Sequence, residues 1–460
     1  MSDLKQRICI VGGGPAGTSM AMYLEKKGYD NYVIYEKSNR VGGKCFSPLM
    51  QVKKVDGTYE DRTIEMGAVM GCETYFAVHE CELFGGTTHE DGPKMGRRFM
   101  NTDGTPLKTS KIALLKKLIK LNKLSRLLKK KYKGYDVNGH RGVSEGRYEG
   151  PCPSPEMKLA HIEGKNENLK DLCMPFSEFL KKNKCTDAEL VWKGPFTSFG
   201  YGYFDEIPAA YVLKYLDDYT VRQFLHTGKL WTWKNGTQSI WEGVNNHLKH
   251  PVVLNSEITH IERKDNKVYV TINNDKVEEF DKLIICTPLE MFLNYGDPTE
   301  EEKELFSKIV HKEYFTMAVR PAEDNSPDIS YYFFDNMTPE TRGHLMVFYH
   351  RWDASEVTAQ PLVTFTLRNH EGMEDVPFDV AKETTLADMT KCKLPVVKTE
   401  RIDDWYYFPH VSSKDYADGW YEKVEALQGQ KNCFFAGEVM AFGDMEETVE
   451  YSRDLVRRFF

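Results

Sequence analysis

Short apolar runs and longer runs with helical periodicity alternate along this chain, and the alternation is clearest near its start. Ile8–Val11 is a short β-branched run, and Tyr32–Tyr35 is a second apolar run. Between them, over residues 16–27, apolar positions recur at the spacing of one helix face. The pattern predicts a strand, a helix and a second strand, which is the unit from which α/β folds are built.

Apolar runs later in the chain predict further strands and several helices. Strands are expected at 252–254, 258–261, 267–273 and 280–286. In the region from 289 to about 425, a mixed or antiparallel sheet is expected from the runs 314–320, 329–334, 343–350 and 361–367. Helices are expected at 175–182 and 208–224, and a last helix should begin near Met445 with Asp444 as its N-cap.

The turn between the first strand and the first helix has the sequence G-x-G-x-x-G, with Gly12, Gly14 and Gly17 at the glycine positions. The first glycine turns the chain sharply, the second lets the backbone approach a pyrophosphate, and the third lets helix and strand pack closely. The helix N-terminus offers N–H groups and a positive dipole end to phosphates. Glu36 ends the second strand, where a carboxylate accepts the hydroxyls of an adenosine ribose. The motif predicts a dinucleotide site, and a glycine-rich turn without a ligand is the alternative.

Three further segments resemble the flavin amine oxidase superfamily, in sequence and in their order along the chain. They are Arg40-Val41-Gly42-Gly43-Lys44, Glu65-Met66-Gly67-Ala68 and Phe434-Phe435-Ala436-Gly437-Glu438. The resemblance implies FAD as the cofactor, with NAD as the alternative. Non-covalent binding is expected because the family's C-terminal attachment cysteine has no counterpart. The motif and the resemblance together assign these residues to the cofactor: Gly12, Gly14, Pro15, Ala16, Gly17, Glu36, Lys37, Gly42, Gly43, Lys44, Gly67, Ala68, Ile258, Gly437, Glu438 and Met445.

The same resemblance implies the fold, which is α/β with a Rossmann-like FAD-binding domain, a mixed-sheet substrate domain and a helical cap. The FAD-binding domain is expected to be discontinuous, built from residues 1–75, 235–290 and 426–460. Residues 76–104 and 291–425 are expected to form the substrate-binding sheet domain, and residues 105–234 a mainly helical cap.

The composition fits a soluble globular protein. The 460 residues carry a net charge of −8, which argues against general nucleic-acid binding. No apolar run approaches the roughly 20 residues of a membrane-spanning helix. The ten cysteines include no C-x-x-C pair, so neither a structural zinc site nor a disulfide framework is expected, and no other metal-ligand cluster stands out. The first strand begins too soon to leave room for a signal peptide, which favours a cytoplasmic location.

One segment carries the opposite charge to the chain as a whole. Residues 108–133 hold eleven Lys or Arg and no acidic residue, and their leucines form one helical stripe. A helix of this kind suits peripheral contact with an anionic membrane or with anionic lipids. A cap helix with a solvated charged face is the alternative.

Longer runs over most of the chain resemble a narrower family, the bacterial polyunsaturated fatty acid double-bond isomerases. The runs are Phe199-Gly200-Tyr201-Gly202, Leu230-Trp231-Thr232-Trp233 and the segments 195–197, 208–216, 349–352, 405–412 and 419–425. The resemblance implies a free polyunsaturated fatty acid, such as linoleate, as the substrate and a conjugated diene as the product. Flavin N5 would take a hydride from the methylene between two double bonds and return it at another carbon. No protein residue is therefore expected to be catalytic.

The narrower resemblance also implies substrate-binding residues. Arg97 corresponds to an arginine at the tunnel entrance that holds the substrate carboxylate, and Phe224 corresponds to an aromatic gate. Arg98 is the alternative anchor, because the alignment here depends on the register of the preceding Asp-Gly-Pro-Lys. The tunnel wall is expected to include Phe196, Phe199, Tyr201, Tyr349 and Tyr406, with ordinary core packing as the alternative for each.

Two other functions stay open on the sequence. An oxidase or desaturase of amines or carotenoid-like substrates would use the same cofactor residues and pass electrons to oxygen or a quinone. A fatty-acid-binding protein without turnover would need them as well. No second G-x-G-x-x-G is present, so the electrons are expected to go to oxygen, to another acceptor or back to the substrate.

Overall fold

The computed structural model describes residues 4–92, 96–108, 111–132, 166–215, 230–324, 326, 328–441 and 443–460. The strands within these residues are β1 (Ile8–Val11), β2 (Tyr32–Tyr35), β3 (Leu49–Lys54), β4 (Tyr59–Thr63), β5 (Gly71–Cys72), β6 (Glu90–Asp91), β7 (Arg97–Met100), β8 (Leu230–Thr232), β9 (Ile258–Lys264), β10 (Lys267–Ile272), β11 (Lys276–Phe280), β12 (Lys282–Ile285), β13 (Val310–Pro321), β14 (Ser330–Phe333), β15 (Val347–His350), β16 (Val357–Ala359), β17 (Leu362–Leu367), β18 (Val396–His410) and β19 (Cys433–Phe435). The α-helices are α1 (Pro15–Lys26), α2 (Phe76–Gly85), α3 (Lys111–Lys130), α4 (Phe176–Lys182), α5 (Glu189–Thr197), α6 (Ala209–Tyr215), α7 (Gln238–His247), α8 (Leu289–Tyr295), α9 (Glu300–Phe306), α10 (Phe378–Lys391), α11 (Ser413–Ala417), α12 (Trp420–Ala426), α13 (Glu438–Ala441) and α14 (Met445–Phe459).

A parallel sheet with the strand order β19-β12-β1-β2 forms the centre of one half of the molecule. In this sheet Ile10 pairs with Ile284 on one side and with Ile34 on the other. The short apolar strands are buried, as expected when helices cover a parallel sheet. Helix α1 packs against α14, and the Ser452 hydroxyl donates a hydrogen bond to the Ala16 carbonyl over 3.2 Å. The predicted strand, helix and strand at the start of the chain are confirmed.

A larger sheet, with the strand order β18-β13-β17-β15-β14-β7, forms the other half. Its strand pairs are antiparallel except for β14 with β7, which run parallel. One face packs against α10 through Phe315, Met317 and their neighbours. The other face carries Tyr314, Tyr349 and Phe365, which pack in one buried cluster with Met66. The expected mixed sheet is therefore present.

Three smaller sheets and a group of helices complete the described chain. The small sheets have the orders β11-β10-β9, β16-β3-β4 and β5-β8-β6. Within the region expected to be a cap, α3 to α6 account for much of what is described, and α6 covers the start of the predicted helix at 208–224. The strand predicted at 252–254 is wrong: only Val253 bridges to Tyr35, because the chain then turns at Asn255, which has a φ of +52°. Over the described residues, no helix combines the length and apolarity needed to cross a membrane.

Candidate functional site

A cavity of about 370 Å³ lies where the carboxyl ends of the parallel strands meet the larger sheet. Gly12 follows β1, Glu36 follows β2, Cys286 follows β12 and Gly437 comes soon after β19, and all four line the cavity. Ligands of open parallel sheets bind at this edge, outside the carboxyl ends of the strands. The topology therefore brings residues from the start, the middle and the end of the chain to one site.

The glycine turn has the geometry that a dinucleotide requires. Gly12 has a φ of +109°, and a Cβ on Gly17 would lie 1.9 Å from the Gly12 carbonyl oxygen, so helix and strand can pack only through glycine. Helix α1 begins at Pro15, and its N-cap residue, Gly14, makes no side-chain capping bond. The first turn of α1 contains no acidic residue. Its N–H groups are therefore available to a phosphate at the cavity wall.

Glu36 is held in a fixed orientation beside this turn. Its carboxylate accepts hydrogen bonds from the Gly13 N–H over 2.8 Å and from the Ser38 N–H over 2.9 Å. Because Glu36 also lines the cavity, its remaining lone pairs can accept the hydroxyls of a ribose. A carboxylate at this position would repel a 2′-phosphate.

The segments taken from the family resemblance lie along the same cavity. The lining includes Gly43, Lys44, Gly67, Ala68, Gly437, Glu438 and Met445, together with Pro15, Ala16 and Lys37. Lys44 forms an ion pair with Glu438. Helix α14 begins at Met445, and the Asp444 carboxylate accepts a hydrogen bond from the Glu447 N–H over 3.0 Å, so the predicted N-cap is confirmed. Three predicted cofactor residues are not in the lining, namely Gly17, Gly42 and Ile258. Gly17 lets helix α1 pack on strand β1, and the Gly42 N–H donates a hydrogen bond to the Gly13 carbonyl. Ile258 is the first residue of β9.

Glu65 holds the turn at Gly67 in place from behind the cavity. Its buried carboxylate accepts hydrogen bonds from the Ser47 hydroxyl and from the Thr237 N–H, and Arg351 lies 3.8 Å away. Burial raises the pKa of Glu65 above its ordinary value, against the opposing effect of Arg351. A Cβ on Gly67 would lie 1.8 Å from the Lys44 carbonyl oxygen, so only glycine lets this turn approach the segment at Lys44.

Aromatic side chains make up another part of the cavity wall. The lining there includes Phe199, Tyr201, Tyr215, Tyr314, Trp405 and Tyr407. The ring centroids of Tyr201 and Tyr215 are 4.2 Å apart, and those of Tyr314 and Tyr407 are 5.1 Å apart. Burial raises the pKa values of Tyr201, Tyr314 and Tyr407 well above the ordinary value of tyrosine, so these phenols stay neutral.

Two of the five predicted wall residues line the cavity, namely Phe199 and Tyr201. Phe196 is buried behind them, with its ring centroid 5.3 Å from that of Tyr201. Tyr349 donates a hydrogen bond from its hydroxyl to the Glu65 carbonyl over 2.7 Å and packs on Phe365 within the sheet.

Tyr406 lies on the far side of β18, where it is 48% exposed and stacks on His311 at 3.6 Å. Successive side chains of a strand point to opposite faces, so β18 directs Trp405 and Tyr407 to the cavity and Tyr406 away from it. The period of two puts Trp405 and Tyr407 on one face, but the run 405–407 alone does not show which face meets the cavity. The sequence analysis therefore predicted Tyr406 and missed both.

The two candidate carboxylate anchors lie on opposite faces of β7. Arg97 is half-buried, and burial lowers its pKa. It shares a sheet face with Phe99 and, through the parallel pairing, with Ser330 and Tyr332. That face belongs to the cluster that also contains Tyr314 and Tyr349. Arg98 is exposed on the other face and pairs with Asp328. Neither arginine is part of the cavity lining, and Phe224 lies outside the described residues.

Comparison with known proteins agrees with this geometry. Residues 15–454 match the family described as flavin containing amine oxidoreductase. A crystal structure of a CLA-producing fatty acid isomerase from P. acnes superposes with a TM-score of 0.88 and 42% sequence identity, covering 100% of both chains. A putrescine oxidase bound to putrescine shares the fold, with a TM-score of 0.68 and 15% identity over 98% of this chain and 97% of the other. The FAD-dependent oxidoreductase oblC of Cochliobolus heterostrophus is 26% identical over 97% of this chain and 89% of its own length.

The chain is a flavoprotein of the α/β class, and it belongs to the flavin-containing amine oxidoreductase family. FAD is its cofactor, and the residues present fit that group. The uncapped N-terminus of α1 suits the pyrophosphate, Glu36 suits the adenosine ribose, and the N-terminus of α14 places a positive dipole end at the same cavity.

Proposed function

We propose that the protein is an FAD-dependent isomerase that moves a double bond of a free polyunsaturated fatty acid, such as linoleate, to give a conjugated diene. When bound, FAD supplies the redox chemistry by taking a hydride from the methylene between two double bonds and returning it to a different carbon. The observation that carries the proposal is an FAD cradle continuous with an aromatic wall of neutral phenols. The 42% identity with a fatty acid isomerase over the full chain supports it.

The protein's contribution is to shape the acyl chain and to exclude water. Loss of a hydride leaves a positive charge spread over five carbons, and aromatic faces stabilise a nearby cation. The charged residues in the lining are Glu36, Lys37, Lys44, Glu438 and Asp444, which lie in the cofactor-binding segments or at the start of α14. The aromatic lining residues themselves are neutral, and none of them is an ordinary general base.

Arg97 is the proposed anchor for the substrate carboxylate. It lies on the edge strand of the larger sheet, on the face that also carries Tyr332. A guanidinium binds a carboxylate through charge-assisted hydrogen bonds. Arg97 is preferred to Arg98 because its face of the sheet carries the aromatic cluster, whereas Arg98 is exposed on the opposite face.

Helix α3 is the proposed site of contact with an anionic lipid surface, from which the enzyme would take its substrate. Leu121, Leu124 and Leu128 pack into the protein, whereas Leu115 and Ile119 are 58% and 56% exposed. Arg126, Lys129 and Lys130 continue this outward stripe. Apolar side chains flanked by cations complement an anionic bilayer.

The test is to incubate the purified yellow protein with linoleate, without NAD(P)H, while recording conjugated-diene absorbance and dissolved oxygen. The proposal requires diene formation at the same rate under air and under argon, with no oxygen consumed. Oxygen uptake without diene formation would show that the protein is an oxidase or desaturase instead. If the protein keeps its FAD but turns over no lipid or amine, the result would favour a fatty-acid-binding protein without enzymatic activity.

A further inference from the structure

A cluster of metal-ligating side chains lies outside the cavity, on the surface of helix α2. His79 and Glu82 are three residues apart on this helix and so share one face. His89 lies in the connection between α2 and β6. The Nδ1 atoms of His79 and His89 each lie 2.8 Å from the same carboxylate oxygen of Glu82. Within the described residues, the ligand atoms of these three side chains lie within 4.8 Å of one another.

The surroundings hold these three side chains in place. Trp233 donates a hydrogen bond from its indole N–H to the other oxygen of Glu82 over 2.6 Å. The His89 ring stacks on Trp231 with a centroid distance of 3.6 Å and an interplanar angle of 9°. Glu82 is 1% exposed. Bonds of this kind from outside the cluster orient metal ligands and fix their rings.

We propose that His79, Glu82 and His89 bind one divalent transition-metal ion, with Zn²⁺ the best match to two imidazoles and a carboxylate. Bond lengths near 2.1 Å place neighbouring ligands of tetrahedral zinc about 3.4 Å apart, so each imidazole nitrogen needs to move roughly half an ångström away from the Glu82 oxygen. His79 is 44% exposed and can make that adjustment. Its exposed side also gives the ion an entry path and leaves the fourth position to water. Imidazole ligands favour Zn²⁺ over Mg²⁺ or Ca²⁺.

The ion would lie next to the sheet that forms one wall of the cavity. Trp231 and Trp233 flank the cluster from β8 and the residue that follows it, and β8 pairs with both β5 and β6. The same small sheet supplies Leu230, Gly71 and Cys72 to the cavity lining. Metal binding would therefore tie α2 to the sheet that forms one wall of the site.

The competing explanation is a metal-free network in which both imidazoles donate N–H groups to the buried carboxylate. A glutamine substitution distinguishes the zinc site from the metal-free network. Its amide can donate a hydrogen bond to Glu82, but it does not replace an imidazole as a zinc ligand. The variants are therefore His79→Gln and His89→Gln. The control is His247→Gln on the neighbouring helix α7, where the exposed imidazole contacts the Gly243 carbonyl and lies outside the cluster.

The experiment titrates Zn²⁺ into the FAD-loaded, tag-free, chelator-treated protein by calorimetry and follows thermal unfolding in parallel. We expect one saturable site in the wild-type protein and in His247→Gln, with a matching rise in Tm. In His79→Gln the affinity should fall at least tenfold, and in His89→Gln saturable binding should be lost, while both variants keep their FAD. Equal zinc affinity in all four proteins, or no saturable binding to the wild-type protein, would overturn the proposal.

Discussion

At the residue scale, two backbone hydrogen bonds fix the orientation of the Glu36 side chain. Replacing it with alanine removes the acceptor for the ribose hydroxyls and leaves the Gly13 and Ser38 N–H groups without their carboxylate. Hydrogen bonds to a charged group contribute about 1.5–3 kcal/mol, so FAD affinity should fall roughly 10- to 100-fold. Quenching of flavin fluorescence on binding to the apoprotein measures this. Asp61→Asn, on the exposed side of β4, is the control and should leave FAD affinity unchanged.

Arg97 and Arg98 provide a matched pair, because neighbouring residues of β7 face opposite sides of the sheet. We expect Arg97→Gln to raise the KM for linoleate by roughly 10- to 100-fold, the value of one charge-assisted hydrogen bond, with little change in kcat. The KM for methyl linoleate should stay the same, since the ester carries no carboxylate. Arg98→Gln should change neither value. A shift in KM for acid and ester alike would mean that Arg97 supports the fold rather than the carboxylate.

At the element scale, β18 separates a cavity residue from a surface residue one position away. Tyr407→Leu should lower kcat at least tenfold, because it removes an aromatic face and the contacts with Tyr201 and Tyr314. Tyr406→Leu should leave kcat within twofold of the wild-type value, since that ring stacks on His311 at the surface. Steady-state diene formation by the two variants measures the contrast. Equal losses in both would indicate a general effect on the sheet.

The same strand shows which features the sequence could predict and which it could not. Local patterns located β1, α1 and β2 to within about a residue, because a glycine turn, an apolar period and a cap act over a few positions. The side that a ring faces depends on strand pairing, so Tyr406 was chosen although Tyr407 lines the cavity. The cluster of His79, Glu82 and His89 forms because a turn brings residue 89 back over α2. No spacing motif in the sequence predicts this cluster.

Helix α3 carries a prediction of its own. Wild-type protein should co-sediment with phosphatidylglycerol vesicles and not with phosphatidylcholine vesicles, and binding should weaken as salt rises. The double variant Leu115→Ser/Ile119→Ser removes the two exposed apolar side chains from the outward stripe and should weaken binding at least tenfold. Asn122→Ser, on the same stripe, is the control. Equal vesicle binding by both variants would mean that α3 is a cap helix that does not contact the lipid surface.

At the scale of the whole molecule, the site exists only because distant segments converge. The cavity joins the carboxyl edge of the parallel sheet to one face of the larger sheet, with α14 closing it from the end of the chain. The cofactor segments and a set of buried neutral aromatic residues line the same cavity. In the proposed isomerisation, a cationic intermediate at this cavity would meet aromatic faces, which would favour return of the hydride over capture by solvent.

This arrangement predicts the fate of the migrating hydrogen. With linoleate deuterated at the methylene between its double bonds, the conjugated product should keep the migrating deuterium at its new carbon, and product formed in D₂O from unlabelled linoleate should contain none. The reason is that the described aromatic lining offers no ordinary acid or base to exchange the hydrogen with water. Mass spectrometry of the product locates the label, and Tyr407→Leu, which opens the wall, should increase by-products of water addition. Deuterium entering the product from D₂O would point instead to a proton-transfer route through a side chain of the protein.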